Sequence, residues 1–432
     1  MLSESFKGKF TSTEIGIIPN HWELKKLQHL AKVTGGKRLP KGKSLSQHDT
    51  GHPYIRVSDM EERGISLQGL MYVPLDIVDD IKRYRVEADD LYISVAGTIG
   101  LVGEVPKELD GANLTENADR ISEIQCDRKY LLWVLRSELV QKTIKKEQTS
   151  NAQPKLALTR IKDFLIPIPP QSEQQKIASI LNSVDKAIEK TEAIIEQTEE
   201  VKKGLMQQLL TKGIGHTKFK KTEVGEIPEE WSISRLEDIT TRIGDGIHAT
   251  PKYDSHGEIP FVNGNNIRNR KLYVPVDNKR INEDEYNNYK QYLNENTILL
   301  SINGTIGKLG FYNGEKVLLG KSIAYINPND KLLREYLFYC LGSYKVQNFF
   351  LRELTGTTIK NLSLKTIRDT LIPVPTIDEQ KEIASILTNS DKKVDIHKEE
   401  LAKLLKLKQG LMQSLLTGKV RVKVDEAEVT QV

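Results

Sequence analysis

Seventeen residues beginning at Leu165, LIPIPPQSEQQKIASIL, return at Leu371 as LIPVPTIDEQKEIASIL. The self-similarity extends well beyond this stretch. Thr13-Glu14-Ile15-Gly16 with Ile18-Pro19 and Trp22 comes back as Thr222-Glu223-Val224-Gly225 with Ile227-Pro228 and Trp231, and Gly97-Thr98-Ile99-Gly100 as Gly304-Thr305-Ile306-Gly307. Ile161-Lys162-Asp163 is matched by Ile367-Arg368-Asp369, and Gly204-Leu205-Met206-Gln207 by Gly410-Leu411-Met412-Gln413. The offset drifts only from 209 to 206 along the chain. A solenoid would show many short periods, whereas two long ones mean a duplicated unit, so whatever fold the first half adopts the second must adopt too.

Each unit changes texture part-way. Residues 1–170 and 214–376 are rich in Gly, Asn, Tyr and β-branched residues, and runs such as Leu91–Val95 and Thr297–Ile302 suit strands. These are two heads. Residues 171–213 and 377–418 lose their prolines and nearly all their glycines, and 419–432 form a short tail. Pro167, Pro169 and Pro170 hold the incoming chain extended. Ser172 with Gln175 then fits a capping box, and Asp378 takes the cap position in the second copy. Ile177, Leu181, Val184, Ile188, Ile195, Leu205 and Leu209 fall on a 3-4 spacing, as do Ile383, Leu387, Val394, Leu401, Leu404, Leu411 and Leu415, with Thr191, Thr198, Lys202, Ser390, His397 and Lys408 as polar positions in the pattern. An amphipathic helix on a globular core would read alike. However, neither head is large enough to cover a rod of about 60 Å at about 1.5 Å per residue, so the helices are expected to pair with each other.

With 63 basic and 59 acidic side chains the net charge is +4, which permits a nucleic-acid partner without demanding one. The positive excess sits in the heads, where phosphate contacts would need it. Cys126 and Cys340 form neither a disulfide framework nor a CxxC metal site, and the eight histidines show no metal-ligand spacing. No run of 18 apolar residues and no apolar leader at the start of the sequence is seen, so a soluble cytoplasmic protein without membrane or metal is expected. Catalytic motifs are missing as well. Gly42-Lys43-Ser44 has Lys37, and Gly320-Lys321-Ser322 has Glu315, where a P-loop needs its first glycine. Neither GxGxxG, HExxH nor GxSxG occurs, and Pro169-Pro170 follows Ile168 instead of completing an Asn-Pro-Pro-aromatic methyltransferase motif.

Duplicated heads, each closing in Pro-x-Pro, then an EQ-x-x-I-A-x-I-L helix that ends in G-L-M-Q-x-L-L, resemble the specificity subunit of a type I restriction-modification system over essentially the whole chain. The resemblance implies an α+β molecule: two pseudo-symmetric α/β target recognition domains joined by two long helices that form an antiparallel coiled coil. It implies a non-catalytic subunit that recognises a bipartite double-stranded DNA target, each head reading one half. It also implies partners: two copies of a modification subunit supplying methyltransferase activity with S-adenosylmethionine, and restriction subunits adding ATP- and magnesium-dependent translocation and cleavage. The repeated sentence is then the ruler and the docking surface, the same twice because both modification subunits are the same protein. A diverged methyltransferase or nuclease, or a coiled-coil scaffold that binds no DNA, are the rival readings.

Within the heads several stretches are candidates for DNA contact. Lys37, Arg38, Lys41 and Lys43 lie in a glycine-rich basic loop suited to phosphates, Arg38 also to a guanine edge; its counterpart in the second head carries His248 and Lys252. Arg56 and Ser58 follow the strand-like Tyr54-Ile55, and Asn263, Asn265, Asn266 and Arg268 follow Phe261-Val262. Arg can pair with guanine and Asn with adenine, although Asn-Gly and Asn-Asn are also ordinary turn chemistry. The Gly-Thr-Ile-Gly stretches read as hairpin turns or as phosphate-approaching backbone. Asn151, Lys155 and Arg160, paralleled by Thr357, Lys360 and Asn361, precede the Pro-x-Pro exits and either touch the DNA backbone or line the junction of head and helix.

Overall fold

The computed structural model describes residues 10–148, 155–355 and 360–423. Its contacts divide into two compact units, with cuts at Thr191/Glu192 and Glu399/Glu400. Each unit is therefore one head together with part of both long helices. The division in space is not the division along the chain.

The first unit opens with an antiparallel hairpin, Phe10–Thr13 on Gly16–Pro19. Gly16 turns it with φ +112°, a conformation L side chains rarely adopt, and Gly225 does the same at +90° in the second unit, so the repeated Thr-Glu-x-Gly is a turn signal. A four-stranded antiparallel sheet follows, in the order Val102–Glu104, Leu91–Ser94, Ala118–Ser122, Lys32–Gly35. Beside it lies a small mixed sheet of Asn113–Leu114, Pro53–Ile55 and Met71–Tyr72. Two helices, Arg128–Arg136 and Glu138–Gln148, pack on the large sheet, and Leu91, Ile93, Ile121, Tyr130, Leu131 and Trp133 form a buried core. The exit sequence pairs Leu165–Ile168 antiparallel with Glu23–Lys26, leaving its proline in a two-stranded ribbon where a missing donor is tolerated.

The second unit repeats this plan. Its hairpin is Phe219–Thr222 on Gly225–Pro228, its helices Arg334–Gly342 and Tyr344–Arg352, and its exit ribbon Leu371–Val374 on Ser232–Arg235. One difference is topological. The main sheet has six strands, Thr240–Asp245, Ile323–Pro328, Ile298–Ser301, Leu309–Phe311, Lys271–Leu272 and Ile267–Arg268, because the last two strands form a hairpin that joins the sheet. In the first unit the matching hairpin, Met60–Glu61 on Gly64–Ile65, pairs only with itself.

The long helices run Gln171–Lys212 and Ile377–Leu415. Neither begins as the capping-box reading expects. Pro170, which has no side-chain acceptor, occupies the cap and its carbonyl accepts the first helical bond from Gln174 N–H, so Ser172 and Gln175 lie inside the first turn. In the second copy Thr376 Oγ1, not Asp378, accepts from the Glu379 N–H at 3.3 Å. The Glu-Gln pair that follows makes tertiary bonds instead. Gln174 donates to the Pro169 carbonyl and accepts from the Asp127 N–H; Gln380 donates to the Pro375 and Lys331 carbonyls and accepts from the Leu333 N–H. Glu173 accepts from the Trp22 indole at 3.2 Å and from Arg421, and Glu379 from the Trp231 indole at 2.9 Å, from the Ile214 N–H and from His216. Each helix start is thus clamped to its head by a carboxylate, buried in Glu173 and half-buried in Glu379, and a buried amide.

In the second unit Lys202 pairs with Asp391 and Glu199 with Lys398, so numbers fall on one helix as they rise on the other, and the pairing is antiparallel. In the first unit Asp185 pairs with Lys408, while Leu411 and Leu415 pack near Ile177 and Leu181. Ile177, Leu181, Ile188, Ile195, Leu209, Ile383, Leu387, Val394 and Leu415 are buried; Val184, Leu205, Leu401, Leu404 and Leu411 are half-buried. Among the described residues no helix is long and apolar enough to cross a membrane.

Candidate nucleic-acid interface

Three stretches far apart in sequence converge at one rim of each head. The first follows the central strand of the small sheet. Arg56-Val57-Ser58-Asp59 and Asn263-Gly264-Asn265-Asn266 form the same one-turn cap, in which the fourth side chain accepts from the first backbone N–H: Asp59 from Arg56 at 2.8 Å, Asn266 from Asn263 at 2.9 Å. The second is the Gly-Thr-Ile-Gly stretch, which links two antiparallel strands with both glycines at positive φ in each copy. Ser94 and Ser301 tie this loop in the same way, each carbonyl accepting from the closing glycine N–H at 2.9 Å. It is a hairpin turn, and Gly97 lies against the Val57 side chain while the Thr305 hydroxyl reaches the Asn265 amide oxygen at 3.4 Å. The third stretch precedes the Pro-x-Pro exit: Leu156 N–H donates to the Val95 carbonyl and Leu362 N–H to the Ile302 carbonyl, both at 2.9 Å.

The basic loop leaves from the same rim. Gly36 passes so close to Thr115 that a Cβ there would lie 2.0 Å from its carbonyl oxygen, and Gly246 is equally confined by Leu319 and Gly320. The glycines kept in both loops are therefore packing requirements. Lys37, Arg38, Lys41 and Lys43 are exposed. Arg38 donates to Glu116 at 2.6 Å, Lys43 pairs with Asp76, and the loop curls over Tyr54, whose hydroxyl donates to the Lys37 carbonyl and is pushed up to about 12 by burial. In the second head His248 pairs with Asp245 at 2.8 Å, and Lys252 is exposed with its backbone N–H bonded to Glu285.

Placement separates the candidates at the one-turn cap. Arg56 donates to both oxygens of buried Asp59 and to the Gly69 carbonyl, so the guanidinium holds its own loop together. Asn266 is similarly occupied with the Tyr273 carbonyl and Asn278, and Asn263 accepts from Ser322. Ser58 and Asn265, the third residues of the two caps, are exposed. Arg268 is exposed too, its Nε donating to the Asn265 carbonyl at 3.1 Å and its guanidinium 5.1 Å from the Tyr273 ring centroid. Lys155, Arg160 and Lys360 are exposed, and Asn361 is bridged by backbone bonds to Thr355 and Asn303. Asn151 and Thr357 lie outside the described residues.

Residue reading named the Gly-Thr-Ile-Gly stretches for their backbone alone and missed Tyr273; the place of Thr98, Thr305 and Tyr273 at the rim emerges only from the pairing of distant segments. It also missed Asp119, buried on the strand beside Lys32–Gly35, opposite Gly35, with its Oδ2 unpartnered among the described groups. Burial pushes this carboxyl up to about 7, against the pull of Lys155 and Lys162. Among the described residues no group of three His, Cys, Asp or Glu side chains is placed to hold a metal ion, and Cys126 and Cys340 are unbridged.

Relatives bear on what such a rim is for. A type I restriction enzyme specificity subunit of Methanocaldococcus jannaschii, named MjaX, is 31% identical over 96% of this chain and 97% of its own length. The EcoBI specificity subunit of Escherichia coli is 24% identical over 94% of this chain and 86% of its own. Among solved structures, the type I restriction-modification S subunit from M. genitalium matches with a TM-score of 0.54 at 16% identity, covering 91% of this chain and 96% of that one, which supports the fold. The sequence model of the type I restriction modification DNA specificity domain matches twice, at residues 19–200 and 228–406, once on each copy of the duplicated unit. The chain belongs to the type I restriction-modification specificity subunits, the non-catalytic DNA-recognition members of these enzymes.

Proposed function

We propose that each head reads one half of a split double-stranded DNA sequence through its rim, and that the helix pair sets the gap between the halves. The observation that carries this reading is the convergence, in both heads, of the one-turn cap, the Gly-Thr-Ile-Gly turn and the segment before the exit. In this division of labour Ser58 in the first head, and Asn265 with Arg268 in the second, face bases. Lys37, Arg38, Lys41, Lys43, Lys155 and Arg160, and His248, Lys252 and Lys360, face phosphates. Arg56, Asn263 and Asn266 shape the loops from within, and Asn361 ties the last segment to the turn. Phosphate contacts fix position while base-edge contacts select sequence, and Asn and Arg have the geometry for adenine and guanine edges respectively.

The sequence divisions at 170, 213, 376 and 418 then separate reader, spacer, reader, spacer and tail. Two copies of a modification subunit dock on the spacers and supply S-adenosylmethionine-dependent methylation. Restriction subunits add ATP- and magnesium-dependent translocation and cleavage, and the assembly acts in the cytoplasm. The test is to co-purify the chain with the methyltransferase encoded beside it and sequence the DNA that the complex methylates. Two short defined blocks around a fixed gap are expected, with binding that weakens steeply as salt rises. A continuous motif, or binding indifferent to salt, would overturn the reading and favour a diverged enzyme or a protein scaffold.

A further inference from the structure

The helix seam contains one acid per unit that a coiled-coil pattern does not ask for. In the second unit Asp391 is 3% exposed. Its carboxylate accepts from Lys202 of the other helix at 2.5 Å, from Arg270 Nη1 at 3.0 Å and from the Tyr339 hydroxyl at 2.8 Å. Arg270 also pairs with Asp395, one helical turn on. In the first unit the equivalent Asp185 pairs with Lys408, whose ammonium lies 5.0 Å from the Trp133 ring centroid, and Arg63 Nε stands 3.9 Å from the same carboxylate. Aspartate, lysine, arginine and an aromatic thus recur at matching places in both copies. Well-packed apolar residues would stabilise a buried seam at least as well as an ion pair, so stability alone does not account for this cluster.

What the two clusters share is the arginine's address. Arg270 is at the tip of the hairpin Ile267–Arg268/Lys271–Leu272, and Arg63 at the tip of Met60–Glu61/Gly64–Ile65. In the second head the tip residues Asn269 and Arg270 have φ +49° and +62°, a left-handed pair that a short hairpin loop demands and that Gly normally fills. An arginine kept in such a conformation has a use for its side chain. The same hairpin carries Arg268 beside Asn265.

We propose that Asp391 and Asp185 are positioning residues that anchor the recognition hairpin of each head to the helix seam, setting how the residues at its base, Arg268 in one head and Glu61 in the other, meet the DNA. The inference rests on the reading of the rim given above and adds a second layer to it. The anchor is tighter in the second head, where Arg270 bridges two helix carboxylates, than in the first, where its counterpart stands 3.9 Å off.

The test uses the chain assembled with its methyltransferase partner and compares methylated motifs for Arg270→Gln, Arg270→Lys, Asp391→Asn and Arg268→Ala. Arg270→Gln leaves the Lys202–Asp391 pair in place, which keeps the experiment readable should Asp391→Asn fail to fold. Expected is a roughly tenfold loss of base preference in the block read by the second head, with the first block unchanged and partial rescue by Arg270→Lys. Asp185→Asn should loosen the first block alone. Relaxation by Arg268→Ala but not by Arg270→Gln would overturn the anchor and keep the reader. The reverse would keep the anchor and overturn Arg268 as a reader, and relaxation by neither would overturn both.

Discussion

The two heads are built on one frame and differ where they face outward. Trp22 and Trp231 both donate to the glutamate at a helix start, and the tyrosines Tyr130 and Tyr336 both donate to a proline carbonyl of the exit ribbon, at 2.8 and 2.9 Å. On the rim, by contrast, Ser58 stands where the second head has Asn265, Glu61 where it has Arg268, and the basic loop from Lys37 to Lys43 where it has His248 and Lys252. Residues that hold the frame are repeated, the Gly-Thr-Ile-Gly turn of the rim among them, and the side chains proposed to read bases are not. That is the pattern expected when two copies of one fold read two different sequences.

The comparison breaks most visibly if the frame is attacked. Trp231→Ala empties a fully buried site and removes a donor to Glu379, so a loss of about 3–5 kcal/mol is expected in the second unit by denaturant unfolding, with Trp22→Ala doing the same in the first. Lys202→Ala strips one cation from buried Asp391 and should cost about 3 kcal/mol, whereas Lys398→Ala removes a half-exposed pair with Glu199 and should cost no more than about 1 kcal/mol. Equal losses would mean that the buried acid is no special anchor.

A pH experiment separates the heads further, because only the first carries Asp119, with Ala324 at the equivalent place. Its folded carboxyl titrates near 7 against an ordinary value of 3.8, so the native state holds a proton over that interval that the unfolded state has lost. Stability from this group is therefore full below about pH 4 and lost as the pH rises through 7. Asp119→Asn removes the dependence, and the variant should gain on the wild type by on the order of 4 kcal/mol between pH 4 and 8 in urea unfolding. The smaller effects are on the rim. Asn265→Ala should cost about 1–3 kcal/mol of discrimination at one position in the second block only. Lys37→Ala should weaken all sequences alike and lower the salt slope by about one. Arg56→Ala should act as a loop-destabilising change, loosening its whole block and not a single base.

Much of the architecture was legible because it depends on local pattern. The Thr-Glu-x-Gly turn, the strands near Leu91 and Ile298, the Pro-x-Pro ribbons and the 3-4 stripe of the long helices are all encoded within a few residues of where they act. The misreadings share one cause. Ser172 and Gln175 satisfy a capping pattern, yet Pro170 already fills the cap and the neighbouring Glu173 and Gln174 bond to Trp22 and Asp127, partners that no local window contains. Lys202 and Lys408 look like faults in an apolar stripe until Asp391 and Asp185 are brought opposite them. Arg56 and Asn266 have the residue types of base readers, and the structure adds what their types alone do not tell, that each bonds to Asp59 or to the Tyr273 carbonyl in its own head. Conversely, Thr98 and Thr305 were visible as a repeat while their position at the rim depended on tertiary pairing.

Antiparallel pairing within both units makes one measurement decisive. If the heads are interchangeable readers, replacing residues 214–376 with a second copy of the first head should give a complex that methylates an inverted repeat of the first block, since the helices pair antiparallel in each unit. Sequencing the methylated DNA of that chimera reads the answer directly. Two identical blocks in opposite orientation are the predicted result; a retained second block, or two copies in the same orientation, would contradict the account.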